Sequence, residues 1–196
     1  MNAATLHRRQ DRVLPQAGPT PVIRTSRLTL RPHRLSDADA ITQSLSDFAI
    51  TRMMARVPTP YDRQDALDWL VPRASGVTND WALAITERDD VHIGVVSLEL
   101  RHGRWHLAYW LNRYYWRRGI MGEAVAATLE RFGRRMPDTA VHSGVFADNP
   151  ASLKLQSRLG FGITGCTEIY SFARNTMVSH VETVLRPGEL RAAKAA

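Results

Sequence analysis

The alternation of apolar and polar positions divides the chain into short strands, amphipathic helices and the turns between them. Val22 to Arg31 places Leu28 and Leu30 on one face, a strand pattern, and Pro32, which has no N–H to give to a ladder, closes it. Ile41, Leu45 and Phe48 then recur at helical spacing, and Ser36 followed by Asp39 resembles the cap that opens a helix. A second such pair, Asp62 with Asp65, opens a helix carrying Leu67 and Leu70. After Gly76 the runs become short and alternating: Trp81, Leu83 and Ile85, then Ile93 to Leu100, then Trp105 to Leu111. Asp89-Asp90 and His102-Gly103 fall between these runs as turns, so the spacing predicts an antiparallel meander.

The second half of the chain changes period again. Val125, Leu129 and Phe132 line one face of a helix from about Met121 to Arg135, which Pro137 stops, and Ala140 to Phe146 reads as a strand. Asn149 is placed to cap a further helix, with Pro150 at its first position and Gly160 as its stop. Ile163 to Phe172 and Val178 to Leu185 read as a final hairpin. The order β, α, α, β, β, β, α, β, α, β, β predicts a mixed α/β fold in which only the two later helices can cross over between parallel strands.

Composition limits what this fold can be. With 196 residues and 44% apolar content, the chain can fill one core and is short for two. Met1 to Thr20 lack apolar periodicity, so we expect a flexible tail over 1–20, one domain over 21–188, and a short tail over 189–196. No run approaches the ~20 apolar residues that cross a bilayer, so the expectation is a soluble protein with no membrane partner. One cysteine, Cys166, excludes an intramolecular disulfide and a cysteine-based zinc cluster. It fits a reducing compartment, for which cytoplasmic is the default, and no metal is expected.

The net charge of +7 predicts attraction to anions: nucleic acid, an acidic protein surface or a phosphate-bearing cofactor. Arginines occur in pairs, Arg8-Arg9, Arg117-Arg118 and Arg134-Arg135, rather than in one block, which reads for most of them as solvated surface.

The stretch from Tyr109 to Ala124 runs from a strand through a turn with two glycines into a helix, a junction suited to holding phosphate. Gly119 and Gly122 allow close backbone approach, the first helical N–H groups lack intrahelical partners, and Arg117 and Arg118 can add full charges. Asp148 to Ser152 forms a second junction after the next strand, so two strands would end at helix N-termini on the same side of the sheet. Asn149 can cap and Ser152 can donate a hydroxyl, although each is also an ordinary first-turn residue.

Tyr109-Trp-Leu, Tyr115-Trp116-Arg-Arg-Gly119 and Gly122-Glu123-Ala124 together resemble the acetyl-CoA pyrophosphate motif of GNAT acetyltransferases, in the branch that includes ribosomal-protein N-terminal acetyltransferases. Asn149-Pro-Ala-Ser152 with Arg158-Leu-Gly-Phe161 resembles that branch's second motif, and Arg24 to Arg31 with Ser36 to Asp39 its first strand and helix. The resemblance implies the GNAT fold: a mixed, mostly antiparallel sheet of about seven strands with about four helices, and two central strands splayed to admit the pantetheine arm. It implies acetyl-CoA as co-substrate, bound at Trp110, Leu111 and Asn112 and on the amides of Arg117, Arg118, Gly119, Ile120, Met121 and Gly122. Asn149, Ser152 and Lys154 extend that expected site, Lys154 with Arg158 toward the 3′-phosphate.

Three positions, in two places, depart from the family pattern. Trp116 and Met121 replace its Gln or Arg and its Gly or Ala, and Gln156 stands where many members carry a Tyr that protonates the departing thiolate. That branch relies on the serine of its second motif, so Ser152 becomes the candidate acid. His106 and Glu99 are the candidate bases, each also readable as a surface strand residue. Trp105, Trp110, Tyr114 and Tyr115 could border the acceptor, with core packing the first reading. The implied activity is acetyl transfer to a primary amine, a protein N-terminus or a small molecule, by a monomer or homodimer. The alternatives are a non-catalytic acyl-CoA-binding module, motivated by Met121 and Gln156, and a nucleic-acid-binding domain, motivated by charge alone.

Overall fold

The computed structural model describes residues 17–87 and 89–191, so the expected tails lie outside the described residues over 1–16 and 192–196. The part of each tail that is described packs on the domain. Ala17 is buried, Gly18 O accepts the Trp81 indole N–H at 3.0 Å, and the Arg191 amide donates to Leu159 O at 3.1 Å.

Eight strands form one sheet in the order β1-β2-β3-β4-β5-β6-β8-β7. They are β1 (Ile23–Arg24), β2 (Thr29–Pro32), β3 (Trp81–Thr86), β4 (His92–Arg101), β5 (Arg104–Leu111), β6 (Val141–Phe146), β7 (Gly162–Ser171) and β8 (Thr176–Leu185). The helices are α1 (Ala38–Leu45), α2 (Phe48–Thr51), α3 (Arg63–Ala74), α4 (Ile120–Arg135) and α5 (Pro150–Leu159). All neighbours are antiparallel except β5 and β6, which the α4 crossover joins in parallel. Helix α5 also carries the chain to a strand running the same way, yet β8 inserts between β6 and β7.

The meander, the α4 and α5 segments and the final hairpin fall within two residues of the sequence pattern. The strand expected over Val22 to Arg31 is instead two strands, because the Leu28 amide turns back onto Thr25 Oγ1 at 2.9 Å and the Thr25 amide onto Leu28 O at 3.0 Å. The first helix also differs. Asp37, not Asp39, closes on the Arg34 amide at 2.8 Å, while Asp39 is exposed and pairs with Arg63 at 2.7 Å. Asp47 then caps the separate helix α2 by accepting from the Ala49 amide at 2.8 Å, which leaves Phe48 half exposed.

Two cores result. On one face of the sheet, α4 brings Ile120, Ala124, Val125, Leu129 and Phe132 against β2 to β5, where the rings of Trp81 and Trp105 meet Phe132 edge-on at 5.5 and 5.0 Å. On the other, α1 and α3 press Ile41, Leu45, Ala66 and Leu70 onto Val95 and Trp110. At the end of this second core a bidentate pair, Arg31 with Asp37 at 2.8 and 3.0 Å, lies beside the buried rings of His33 and His92.

Candidate active site

Strands β5 and β6 pair at only two positions, Trp105 with Val141 and His106 with His142, and then diverge. Beyond Leu107, whose carbonyl accepts from Ser143 Oγ at 3.0 Å, the β6-facing edge of β5 is released from the sheet while its other edge stays paired with β4 up to Leu111. This is the splay that the motif resemblance implies.

Helix α4 begins at the wide end of that gap. Arg117 and Gly119 both take left-handed backbone, at φ 63° and 74°, and the first bond of the helix ladder runs from the Glu123 amide to Gly119 O at 3.1 Å. The amides of Ile120, Met121 and Gly122 precede that bond and have no acceptor among the described residues, so they are available to an anion at the positive end of the helix dipole. Arg118 stacks over Tyr115 at 5.3 Å, and Arg117 and Arg118 are exposed around the same turn. Met121 packs against the main core, so its side chain does not obstruct the amides. Sequence reasoning missed the clamp behind the turn. Glu123 accepts from Thr25 Oγ1 at 2.5 Å and from Arg27 Nε at 2.7 Å, and Arg27 donates to Arg118 O at 3.0 Å. The signal was the length of Arg27 and its place in the β1–β2 turn, meaningful only once α4 is folded beside it.

The second junction lies alongside. Asn149 Oδ1 caps α5 by accepting the Ser152 amide at 3.1 Å, and a methyl in place of the Gly122 hydrogen would sit 3.5 Å from Leu155 Cδ1, so the first turn of α4 lies against the middle of α5. Ser152 Oγ reaches the Tyr109 hydroxyl at 2.6 Å, bridging β5 and α5. Lys154 and Arg158 are exposed one turn apart on α5. Trp110 and Leu111 are buried, Trp110 in the α1–α3 core, and Leu111 O accepts the Trp116 indole N–H at 2.8 Å. The Asn112 side chain is committed elsewhere, donating to Ser44 Oγ at 2.9 Å and accepting from the Tyr114 amide at 3.0 Å. Of the aromatic residues, Trp105 is core, Tyr115 packs on it, and Tyr114 is exposed.

The opposite face of the sheet presents the candidate bases. Register puts Glu99 beside His106 and His106 beside His142, with the two imidazoles 5.6 Å apart at the vertex of the splay. Burial, Arg101 and His142 push His106 below its ordinary value, and burial does the same to His142 and His180. Burial works to raise the Glu99 carboxyl, yet Arg101, Arg73 and the Ser97 hydroxyl hold it below the ordinary carboxylate range. Glu99 is therefore a paired, ionised group, and His106 a neutral imidazole. The segment after α2 roofs this face: Phe172 N donates to Ala55 O at 2.9 Å, Arg174 Nε to Arg52 O at 2.5 Å, and Asp148 accepts from Arg52 and Arg174 at 3.0 and 2.9 Å. His142, which carries no motif signal, joins the site only through the parallel pairing of β5 and β6.

No group of three or more metal-ligating side chains occurs among the described residues, nor does any described helix have the length and apolarity to cross a membrane. The chain is 28% identical over 160 residues to an uncharacterized N-acetyltransferase p20 of Bacillus licheniformis, covering 79% of this chain and 89% of that protein. Its fold resembles an acetyltransferase of the GNAT family from Bacillus anthracis at a TM-score of 0.75 and 15% identity, over 86% of this chain and all of that one. It also resembles RimL, a ribosomal L7/L12 alpha-N-protein acetyltransferase solved in complex with coenzyme A, at 0.72 and 18% identity, over 85% of this chain and 98% of that one. Residues 27–162 match the acetyltransferase (GNAT) domain family, and together with the splayed strands and the open amides of α4 this means that the chain belongs to the GNAT acetyltransferases.

Proposed function

We propose that this enzyme transfers the acetyl group of acetyl-CoA to a primary amine by direct attack within a ternary complex. One observation carries the reading: α4 opens just past the free end of β5 with three amides that have no acceptor among the described residues, and Ser152, in the first turn of α5, reaches the same strand at Tyr109. Acetyl-CoA would supply the activated acyl group as a thioester. The amides of Ile120 to Gly122, with Arg117 and Arg118, are suited to its pyrophosphate, and the β6-facing edge of β5 around Trp110 to Asn112, where Leu111 O already accepts from Trp116, to its pantetheine arm. The exposed Lys154 is suited to the 3′-phosphate.

On the opposite face, His106 is the base that best fits. Its imidazole is held neutral, lies at the vertex where the two strands part, and can accept the proton that the attacking amine must lose. Glu99 is better suited to holding Arg101 than to taking a proton. Ser152 is the donor to the departing thiolate.

Calorimetric titration with acetyl-CoA, followed by a free-thiol assay across peptides, amino acids and polyamines, tests this reading. Binding and thiol release with at least one amine are expected. Tight binding with no release on any amine would instead establish the acyl-CoA-binding module. His106→Gln should lower kcat by roughly 10- to 100-fold with little change in acetyl-CoA affinity, and an unchanged kcat would move the base elsewhere.

A further inference from the structure

Beneath the gap runs a chain of buried side-chain hydrogen bonds that the sequence motifs do not account for. Ser143 Oγ lies 3.0 Å from Leu107 O, and a carbonyl can only accept, so the single hydroxyl proton of Ser143 points there. Ser143 Oγ must therefore accept from Gln156, 2.8 Å away, which directs the amide nitrogen of Gln156 toward it and the amide oxygen toward Thr183 Oγ1 at 2.6 Å. The same nitrogen reaches the Tyr109 hydroxyl at 3.3 Å. Since an amide NH2 cannot accept, the phenolic proton of Tyr109 goes to its remaining neighbour, Ser152 Oγ, at 2.6 Å. One backbone carbonyl thus sets the direction of every bond in the chain. Gln156 is 1% exposed, too enclosed for water to substitute for these partners.

We infer that Tyr109 and Gln156 are positioning residues that make Ser152 Oγ an acceptor on its inner side, so that its own proton is presented outward to the departing thiolate. This rests on the acetyltransfer reading. As the carbon–sulfur bond breaks, its electron pair stays on sulfur, which Ser152 stabilises by donating its hydrogen bond while Tyr109 donates to Oγ; the thiolate then takes its proton from solvent through Ser152, and the proton lost by the amine leaves through His106. Burial raises the Tyr109 phenol above its ordinary value, which keeps it a donor throughout. Gln156 thus orients a hydroxyl rather than supplying one.

Tyr109→Phe keeps the ring and removes the bond. It should lower kcat by roughly 10- to 100-fold, while the acetyl-CoA dissociation constant from calorimetry and the KM stay within about twofold. The double variant with Ser152→Ala should be no slower than Ser152→Ala alone, because both changes remove one device. Losses that multiply, or an undiminished kcat in Tyr109→Phe, would overturn the inference. Should Tyr109→Phe fold poorly, Gln156→Met, assayed below its unfolding transition, should lose severalfold in kcat, and unchanged turnover would equally overturn it. A wild-type chain that binds no acetyl-CoA would refute the acetyltransfer reading itself, whereas wild-type turnover matched by Tyr109→Phe would refute only the role of Tyr109.

Discussion

Acid should destabilise this protein through His92, and the size of the effect follows from where the ring sits. His92 is 7% exposed, and neither of its ring nitrogens has a hydrogen-bond partner among the described residues. Its neighbours are the ring of Trp110 at 5.7 Å, the ring of His33 at 5.6 Å, and the Arg31–Asp37 pair beyond. Burial, followed by the His33 ring and Arg31, outweighs Asp37 and a backbone hydrogen bond and lowers His92 from 6.5 to about 4. The folded chain therefore resists a proton that the unfolded chain accepts. Above the ordinary value both states are neutral and stability is unaffected. As pH falls from 6.5 toward 4 the unfolded state is favoured progressively, and with each tenfold in proton affinity worth about 1.4 kcal/mol the total reaches about 3 kcal/mol, a large part of a typical folding free energy. His33, also lowered chiefly by burial, adds in the same direction. Urea unfolding of wild type and His92→Phe at pH steps from 7.5 to 4 is the assay, both chains sharing the titrations that lie away from the His33–His92 pair. The stability difference should shift in favour of His92→Phe by about 3 kcal/mol on acidification. A difference that stays constant across that range would show that His92 is protonated in the folded state and would refute the reasoning.

At Gly119, φ is 74°, a backbone conformation that a β-branched residue strongly resists. Gly119→Val should weaken acetyl-CoA binding at least about tenfold in calorimetry while circular dichroism stays native, and unchanged affinity would displace the pyrophosphate from α4. A methyl at Gly94 would stand 2.6 Å from Trp110 O and 3.1 Å from Leu111 Cα, forcing β4 from β5, so Gly94→Ala should cost about 1–3 kcal/mol in thermal unfolding. Gly133, inside α4, has nothing within 4 Å of such a methyl, and Gly133→Ala should stabilise by about 0.5–1 kcal/mol.

Local rules were enough for much of the architecture. The Asp62–Asp65 cap, the His102-Gly103 turn and the Pro150 to Gly160 helix each act within a few residues, and each forms where the pattern indicates. The strand expected over Val22 to Arg31 failed because Thr25 and Leu28 turn on each other and Glu123, almost one hundred positions away, holds the turn. Asp39 resembled a cap, but Asp37 had the better partners, a buried guanidinium on one side and the Arg34 amide on the other. Such competition between acids depends on which is buried, and a linear pattern carries no burial.

The same division holds for the site. By itself the sequence determined the period of each element, the two glycines that open α4, the asparagine that caps α5 and hence the family, because backbone conformation and capping are short-range. Only the tertiary structure decided that β8 lies between β6 and β7, that His142 stands beside His106, and that Gln156 directs Tyr109 onto Ser152. Those outcomes depend on strand order and on contacts between residues dozens of positions apart, which packing settles after the local elements exist.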